Sequence, residues 1–308
     1  MKVLITGSSG QIGSNLALAL LERGDSVDGV DHRSNAWTDR IPTRLLDLSR
    51  IAPEQLSPSG DHHVVVHLAA FAKVFELVEH PDRAMQNIQM TFTALEFARR
   101  NNLPFVFGSS REVYGDIHRH VTDESAADFV VAESPYSASK IAGEALVYSY
   151  AECYGLPYLV FRFSNVYGRY DCDLERMERV IPLFIRRIAR GEPIVVFGRE
   201  KVLDFTYVDD CVAGILAGID ALVARRVSAQ TINLAYGQGN TLLDVVNLIS
   251  LALGRTPTVR YEPARPGEVT RYVADISKAR ELLGYDPRTP LSAGLPLGIE
   301  WQRSRGLL

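Results

Sequence analysis

The sequence predicts an α/β protein whose core is a doubly wound parallel sheet. Along its first half, short apolar runs alternate with longer segments that carry helical apolar spacing. The runs are almost continuously apolar, which is typical of parallel strands buried on both faces. Because a helical segment separates consecutive runs, each connection is expected to cross over one face of the sheet.

These segments define the expected elements of the sheet. The predicted strands are Val3–Thr6, Ser26–Asp31, Val64–Leu68, Phe105–Gly108 and Tyr158–Phe163, and the predicted helices are Gln11–Arg23, Asp82–Arg100 and Ala138–Tyr154. The second half is less regular. It predicts helices at Asp173–Arg190, Cys211–Ala224 and Leu242–Leu253 and strands at Ile194–Phe197, Phe205–Val208 and Thr231–Leu234.

The length of 308 residues favours two lobes, since single hydrophobic cores rarely grow so large. We predict a first lobe of residues 1–165, to which a segment of about 203–235 returns, and a smaller C-terminal α/β lobe of residues 166–308. The sequence has no low-complexity linker, which favours two lobes in close contact.

Composition and charge exclude several classes of protein. The net charge of −4, from 33 basic and 37 acidic residues, argues against a nucleic-acid binder, which needs a positive excess. Cys153, Cys172 and Cys211 form no C-x-x-C pair, so neither a disulfide framework nor a structural zinc site is expected. The opening MKVLITG is not typical of a signal peptide, and no apolar stretch approaches the roughly 18–20 residues of a membrane span. We therefore expect a cytoplasmic protein.

A glycine-rich turn, TGSSGQIG, joins the first strand to the first helix. Glycine permits a tight turn and a close approach of the backbone to a ligand, and the amides at a helix N-terminus attract a pyrophosphate. In this strand–turn–helix context the pattern predicts a dinucleotide site. Its expected cofactor-binding residues are Gly7, Gly10, Gln11, Ile12 and Gly13.

Two aspartates refine the prediction of the cofactor. Asp31 ends the second strand about 20 residues after the turn, where a carboxylate can accept both hydroxyls of an adenosine ribose. A carboxylate there repels the 2′-phosphate of NADP, so NAD is favoured, although Arg33 could bind that phosphate. Asp47 follows a third expected strand, within reach of the adenine amino group.

Tyr136 and Lys140 lie four residues apart in SPYSASK, on one face of a predicted helix. An ammonium near a phenol favours the phenolate, which lowers the tyrosine pKa and lets the side chain act as a base. Ser110, at the end of the strand in FGSSREVYG, could hydrogen-bond the same substrate hydroxyl. Together with the glycine turn, these three residues indicate a catalytic site.

With these motifs the chain resembles the extended short-chain dehydrogenase/reductases, and among them the NAD-dependent nucleotide-sugar epimerase/dehydratase group. The resemblance runs nearly end to end. It rests on TGSSGQIG, HLAA (residues 67–70), Asn87, SSREVYG, YSASK, RFSNVYG, DFTYVDD, RPGE and ADISKARELLGY.

The resemblance implies roles for individual residues. Ser110, Tyr136 and Lys140 are the expected catalytic triad, in which Tyr136 removes a proton from the sugar O4 while a hydride passes from C4 to NAD. Asn165 and Arg265 are expected to hold the diphosphate of the nucleotide sugar, and Glu268 its ribose. Further cofactor-binding residues are expected at Leu48, Leu68, Ala69, Ala70 and Asn87.

The type of reaction depends on the fate of the 4-keto sugar. A 4,6-dehydratase typically has Asp-Glu after the catalytic Ser or Thr, and a uronic-acid decarboxylase has Ser-Glu plus an arginine just before a DFTYVDD-like motif. This chain has Arg111-Glu112 and, before DFTYVDD, Leu203. Glu112 could serve as a base, but a guanidinium stays charged and cannot be a general acid. Arg111 is suited instead to a carboxylate or a diphosphate.

We therefore predict an NAD-dependent nucleotide-sugar 4-epimerase acting on a UDP-sugar such as UDP-glucose, UDP-galactose or UDP-glucuronate. The alternatives are a dehydratase or UDP-glucuronate decarboxylase that uses Glu112, a 4-ketosugar reductase, or a non-catalytic NAD-binding regulator. The resemblance also implies a homodimer, formed through helices Asp82–Arg100 and Ala138–Tyr154.

Overall fold

A computed structural model describes residues 1–114, 132–171, 179–265 and 267–308. The strands are β1 (Lys2–Thr6), β2 (Ser26–Asp31), β3 (Thr43–Leu45), β4 (Val64–His67), β5 (Phe105–Ser110), β6 (Tyr158–Phe163), β7 (Asn165–Tyr167), β8 (Ile194–Phe197), β9 (Val202–Tyr207), β10 (Gln230–Leu234), β11 (Gly239–Thr241), β12 (Val259–Glu262) and β13 (Arg271–Tyr272). The helices are α1 (Gln11–Glu22), α2 (Val74–Glu79), α3 (Asp82–Arg100), α4 (Pro135–Tyr154), α5 (Val180–Arg190), α6 (Val208–Val223), α7 (Leu242–Leu253), α8 (Ser277–Leu283) and α9 (Leu291–Ser304).

The large sheet confirms the predicted fold class. In the described chain it has seven strands in the order β10-β6-β5-β4-β1-β2-β3, and every neighbouring pair is parallel. Strands β4 and β6 are buried along their whole length, which explains why their sequences are apolar except at His67 and Arg162. The order reverses direction at β1, and ligands of such sheets bind beyond the carboxyl ends of the strands at that point.

Helix α4 begins three residues earlier than the sequence predicts. Ser134 caps it by accepting a hydrogen bond from the amide of Ser137, whose side chain in turn accepts one from the Ser134 amide. Pro135 occupies the first turn, where its missing amide hydrogen costs nothing. This early start places Tyr136 at the N-terminal end of the helix.

The second half of the chain builds smaller sheets beside the large one. Strand β9 pairs with β7, β11 and β13, and β8 pairs with β12. The chain then returns through α6 to β10, which extends the large sheet. Strand β10 thus lies in the large sheet and β9 does not, while the division into two lobes and the return of about residues 203–235 stay predictions.

Some strands and helices begin at residues other than those predicted. Strand β9 begins at Val202 instead of Phe205, and helix α6 begins at Val208 instead of Cys211. The first part of the predicted helix Asp173–Arg190, and Cys172, lie outside the described residues. Arg179 has an extended backbone, and α5 begins after it at Val180. Cys153 is exposed and Cys211 buried, both as free thiols. No helix in the described ranges is long and apolar enough to cross a membrane.

Candidate active site

A cavity of about 760 Å³ lies along the carboxyl ends of the strands in the large sheet. Pockets of this size are typical of small-molecule and cofactor sites. With one exception, every predicted site residue lines it: Gly7, Gly10, Gln11, Ile12, Gly13, Asp31, Asp47, Leu48, Leu68, Ala69, Ala70, Ser110, Arg111, Glu112, Tyr136, Lys140, Asn165, Arg265 and Glu268.

The glycine turn leaves no room for larger residues. Gly7 has a φ of +78°, and a Cβ atom there would lie 2.8 Å from the amide nitrogen of Ala69. A Cβ atom on Gly13 would overlap the carbonyl oxygen of Gly7. The turn therefore brings the N-terminus of α1 against the backbone that follows β4, with its partial positive charge facing the cavity.

Asp31 is held in place at the end of β2. Its carboxylate accepts hydrogen bonds from the backbone amides of Ser9 at 3.0 Å and Arg33 at 3.2 Å, and the side chain is buried beside the cavity. The buried acceptor and the helix N-terminus provide what the ribose and the pyrophosphate of NAD require. The residues present therefore fit this cofactor.

Asn87 is the exception to the predicted set, because it lies behind the wall of the cavity. Its side chain accepts from the amide of Phe71 at 2.8 Å and donates to the carbonyl of Phe71 at 3.1 Å. It also donates to the hydroxyl of Ser139 at 3.1 Å. Asn87 thus ties the loop after β4 to α4, so any effect that it has on the cofactor is exerted through that loop.

The three predicted catalytic residues converge where β5 ends and α4 begins. Ser110, the last residue of β5, and Tyr136, in the first turn of α4, both line the cavity. Lys140 lies one turn further along α4, and its Nζ donates to the carbonyl oxygen of Gly108 at 2.7 Å. The ammonium lies 5.8 Å from the centroid of the Tyr136 ring. A serine, a phenol and an ammonium are thus held together in the cavity.

The pKa of Tyr136 is raised, whereas the sequence predicts that it is lowered. Burial raises the pKa of this tyrosine to about 12, while the Ser110 hydroxyl opposes the rise and the Glu112 carboxylate adds to it. The expectation that Lys140 lowers this pKa is wrong for the protein alone. Burial lowers the pKa of Lys140 itself to about 8, with Glu144 opposing, and its hydrogen bond is directed at Gly108.

Arg111 and Glu112 form an ion pair inside the cavity, with 2.9 Å between Arg111 Nη2 and Glu112 Oε1. Burial raises the pKa of Glu112, and the Arg111 guanidinium opposes that rise. Within the described residues, Arg111 Nη1 and Glu112 Oε2 have no hydrogen-bond partner. Both atoms are buried, so the pair retains one donor group and one acceptor for a ligand.

The far side of the cavity holds a second ion pair that sequence reasoning missed. Lys201 Nζ lies 2.5 Å from Glu268 Oε2. Arg265 lies over the ring of Phe197, with 4.1 Å between its guanidinium carbon and the ring centroid. Asn165 donates from Nδ2 to the carbonyl of Asp204 at 3.1 Å. Asn165, Arg265 and Glu268, three of the predicted substrate-binding residues, thus line the same cavity as Lys201.

A third pair at the cavity edge was also missed. Arg179 Nη1 lies 3.2 Å from the buried carboxylate of Asp171, and the same nitrogen hydrogen-bonds Gln11 in the glycine turn. Burial raises the pKa of Asp171 to about 7, and Arg179 opposes the rise. No motif signals the contact between Arg179 and Gln11, because the two partners are 168 positions apart in the sequence.

Comparison with known proteins gives a consistent picture. Residues 3–235 match the model of the NAD dependent epimerase/dehydratase family. An uncharacterized UDP-glucose epimerase of Bacillus subtilis is 32% identical to this chain, over 99% of the chain and 98% of that protein.

Solved structures are similar over the whole length. The UDP-glucose 4-epimerase of Thermotoga maritima, solved with UDP-glucose, has a TM-score of 0.91 and 30% identity, with 99% of each chain covered. The UDP-glucuronic acid 4-epimerase of Bacillus cereus, solved with UDP-glucuronic acid and NAD, has a TM-score of 0.89 and 28% identity, with 99% of this chain and all of that chain covered.

Proposed function

The chain belongs to the NAD dependent epimerase/dehydratase family, and we propose that within it this enzyme is a UDP-sugar 4-epimerase. It uses NAD as its cofactor. The observation that carries the proposal is the convergence of Ser110, Tyr136 and Lys140 in the same cavity as the glycine turn. The relatives act on UDP-glucose and UDP-glucuronic acid, which supports a UDP-sugar as the substrate.

The catalytic residues divide the work on the sugar O4. Tyr136 removes the O4 proton and later returns it, so it acts as both base and acid. Ser110 hydrogen-bonds the reacting oxygen, which stabilises negative charge on that atom, and it opposes the rise in the pKa of Tyr136. Lys140 supplies a buried positive charge near the phenolate. When bound, NAD supplies a positively charged ring that takes up a hydride and gives it back.

Arg111 favours epimerisation over elimination. A dehydratase must protonate the departing C6 hydroxyl, and the residue after Ser110 is a guanidinium, which has no proton to give at neutral pH. Glu112 is already engaged with Arg111. An epimerase needs neither group as an acid or base, because only the face of the hydride return changes.

Dehydration is the second candidate, and one observation favours it. Glu112 is buried in the cavity with a raised pKa and an Oε2 atom without a partner in the described chain. A carboxylate of raised pKa is a suitable base for a carbon-bound proton next to a ketone. The two candidates differ in whether the C5 proton ever leaves the sugar.

We propose the remaining roles on the same basis. The diphosphate binds to Asn165 and Arg265, and the ribose of the substrate to Glu268. Asp31 binds the adenosine ribose and Asp47 the adenine. The enzyme is proposed to be a homodimer through α3 and α4. The sparse, unpaired cysteines support a reducing compartment, and we propose the cytoplasm.

The reaction is tested with a panel of UDP-, dTDP- and GDP-sugars, each incubated with the purified enzyme. We expect a UDP-sugar to give an isomer of unchanged mass that differs at C4, as read by mass spectrometry and NMR. Loss of water would identify a dehydratase, and loss of carbon dioxide a decarboxylase. With a nucleotide 4-keto sugar as the substrate, consumption of external NADH in proportion to product would identify a reductase.

A further inference from the structure

A lysine immediately before strand β9 faces the same cavity as the strand. Side chains alternate between the two faces of a strand, so Leu203 and Phe205 point the same way. Lys201, Leu203 and Phe205 all line the cavity. Asp204 points to the opposite face, where its carboxylate accepts hydrogen bonds from the amides of Tyr236, Gly237 and Ala274.

Lys201 is buried although it carries a charge. Only 6% of its surface is exposed, and its Nζ lies 2.5 Å from Glu268 Oε2. The turn before β9 leaves room for it: Gly198 has a φ of +75°, and a Cβ atom there would lie 2.9 Å from Lys201 Cε. A buried ammonium is costly unless its donors are used, and one carboxylate oxygen uses only one of three.

A second cation lies in the same region. The carbonyl oxygen of Arg265 accepts a hydrogen bond from the Glu268 amide at 3.3 Å. The Arg265 guanidinium packs against the aromatic rings of Phe197 and Phe75. Lys201 and Arg265 thus bring two cations together with one carboxylate, which suits a ligand with at least one negative charge.

We propose that Lys201 binds the diphosphate of the nucleotide sugar together with Arg265, a role that rests on the proposed function. Its remaining N–H donors contact the phosphate oxygens, while Glu268 holds the ammonium in place and accepts from the ribose. Leu203 stands where the resemblance expects an arginine in decarboxylases. The cation at this side of the cavity is therefore provided two residues earlier, immediately before β9, beside the carboxylate of Glu268.

The test distinguishes contacts with the diphosphate from contacts with the nucleoside, by comparing the binding of UDP with the binding of uridine. Parent, Lys201→Met and Lys201→Arg enzymes are titrated calorimetrically with UDP and with uridine. For Lys201→Met we expect about 10- to 100-fold weaker UDP binding, the range for a lost hydrogen bond to a charged group, and uridine binding within about threefold of the parent. Lys201→Arg should recover most of the UDP affinity, since it keeps the charge.

Two controls guard this result against indirect effects. Arg199→Met removes an exposed cation from the same turn and should leave UDP binding unchanged. Glu268→Gln should weaken UDP and uridine binding to a similar degree, because both contain the ribose. The double variant Lys201→Met with Glu268→Gln leaves no unpaired charge. Compared with Glu268→Gln alone, it should still show the loss that is specific to UDP.

Each other outcome overturns the inference. Equal losses for UDP and uridine in Lys201→Met would mean that Lys201 only orients Glu268. Unchanged UDP binding would mean that it has no part in substrate binding. A loss seen with UDP-glucuronate but not with UDP or UDP-glucose would assign the lysine to a sugar carboxylate. If the parent does not bind UDP, both the proposed UDP-sugar substrate and the inference about Lys201 are wrong. If the parent and Lys201→Met bind UDP equally tightly, only the inference about Lys201 is wrong.

Discussion

Lys140 donates a hydrogen bond from Nζ to the carbonyl oxygen of Gly108, at 2.7 Å, and so joins the start of α4 to the end of β5. The ammonium also lies 5.0 Å from the centroid of the Phe107 ring. It is 5% exposed, and burial lowers its pKa from 10.5 to about 8 while Glu144 opposes the change. The fold thus keeps a cation where its charge is disfavoured, which is typical of a functional site.

Replacing Lys140 tests how much the burial of its positive charge destabilises the folded protein. Below pH 8 the lysine is protonated in both folded and unfolded chains, so the penalty on the folded state is complete. Between pH 8 and 10.5 the folded protein loses the proton first and the penalty disappears. The free energy of unfolding of the parent should therefore rise relative to Lys140→Met across this range, by up to about 3 kcal/mol. Chemical denaturation of both proteins at about pH 7 to 10 measures it, and a constant difference would contradict the burial argument.

Tyr136→Phe should nearly abolish turnover while the fold and the NAD content stay intact. The ring still packs against α4, but the group that exchanges a proton with O4 is lost, and such catalysis commonly contributes about 10²–10⁴-fold. Steady-state rates with the best UDP-sugar measure the effect. The matched control is Tyr150→Phe. It removes another tyrosine hydroxyl of α4, which donates a hydrogen bond to Glu96 of α3. Activity within a few-fold of the parent would remove Tyr136 from the mechanism.

The sequence predicts the large sheet well because buried parallel strands leave an unmistakable apolar pattern, and β2 matches its predicted bounds. Most of the cavity was also predictable, since the glycine turn and the Tyr136–Lys140 spacing are local patterns. Two kinds of feature were not. The pKa of Tyr136 depends on burial that no motif encodes. The burial of Lys201 in the cavity, paired with Glu268, depends on tertiary contacts between residues that are 67 positions apart in the sequence.

Asp31 should determine the choice between NAD and NADP. Asp31→Ala removes a ribose acceptor and a negative charge, so NAD binding should weaken and discrimination against NADP should relax. Asp31→Asn keeps the size and removes only the charge, and it should relax discrimination with a smaller loss of NAD affinity. Fluorescence titrations with both reduced cofactors measure these changes. Equal affinity of the parent for NAD and NADP would count directly against the assignment.

The homodimer prediction places the interface on α3 and α4. Met85 and Phe92 lie two helical turns apart on α3, with 66% and 39% of their surfaces exposed. Such a pair of exposed apolar residues favours burial against a second copy. Light scattering should show a dimer for the parent and a monomer for Met85→Arg. Leu251→Arg, at an 81% exposed position of α7, should remain dimeric. A parent that is monomeric at micromolar concentration would refute the prediction.

Glu112 distinguishes the two candidate reactions by its contribution to rate. In an epimerase no proton leaves C5, so Glu112→Gln should cost only a modest factor, through the disturbed ion pair with Arg111. In a dehydratase the same substitution removes the C5 base and should cost at least about 10²-fold. Glu76→Gln is the matched control, since Glu76 also lines the cavity and also pairs with an arginine, Arg83. We expect Glu112→Gln to resemble this control more than Tyr136→Phe.

Deuterated water tests the same point without a substitution. A dehydratase removes the C5 proton and later adds a proton from solvent to carbon, so its product carries carbon-bound deuterium. An epimerase that acts only at C4 returns the hydride it removed, and the Arg111–Glu112 pair leaves the C5 proton in place. We therefore expect NMR and mass spectra of the product to show no deuterium on carbon after complete turnover. Deuterium at C5 would indicate that the C5 proton leaves the sugar, with Glu112 as the base, and would replace epimerisation with elimination.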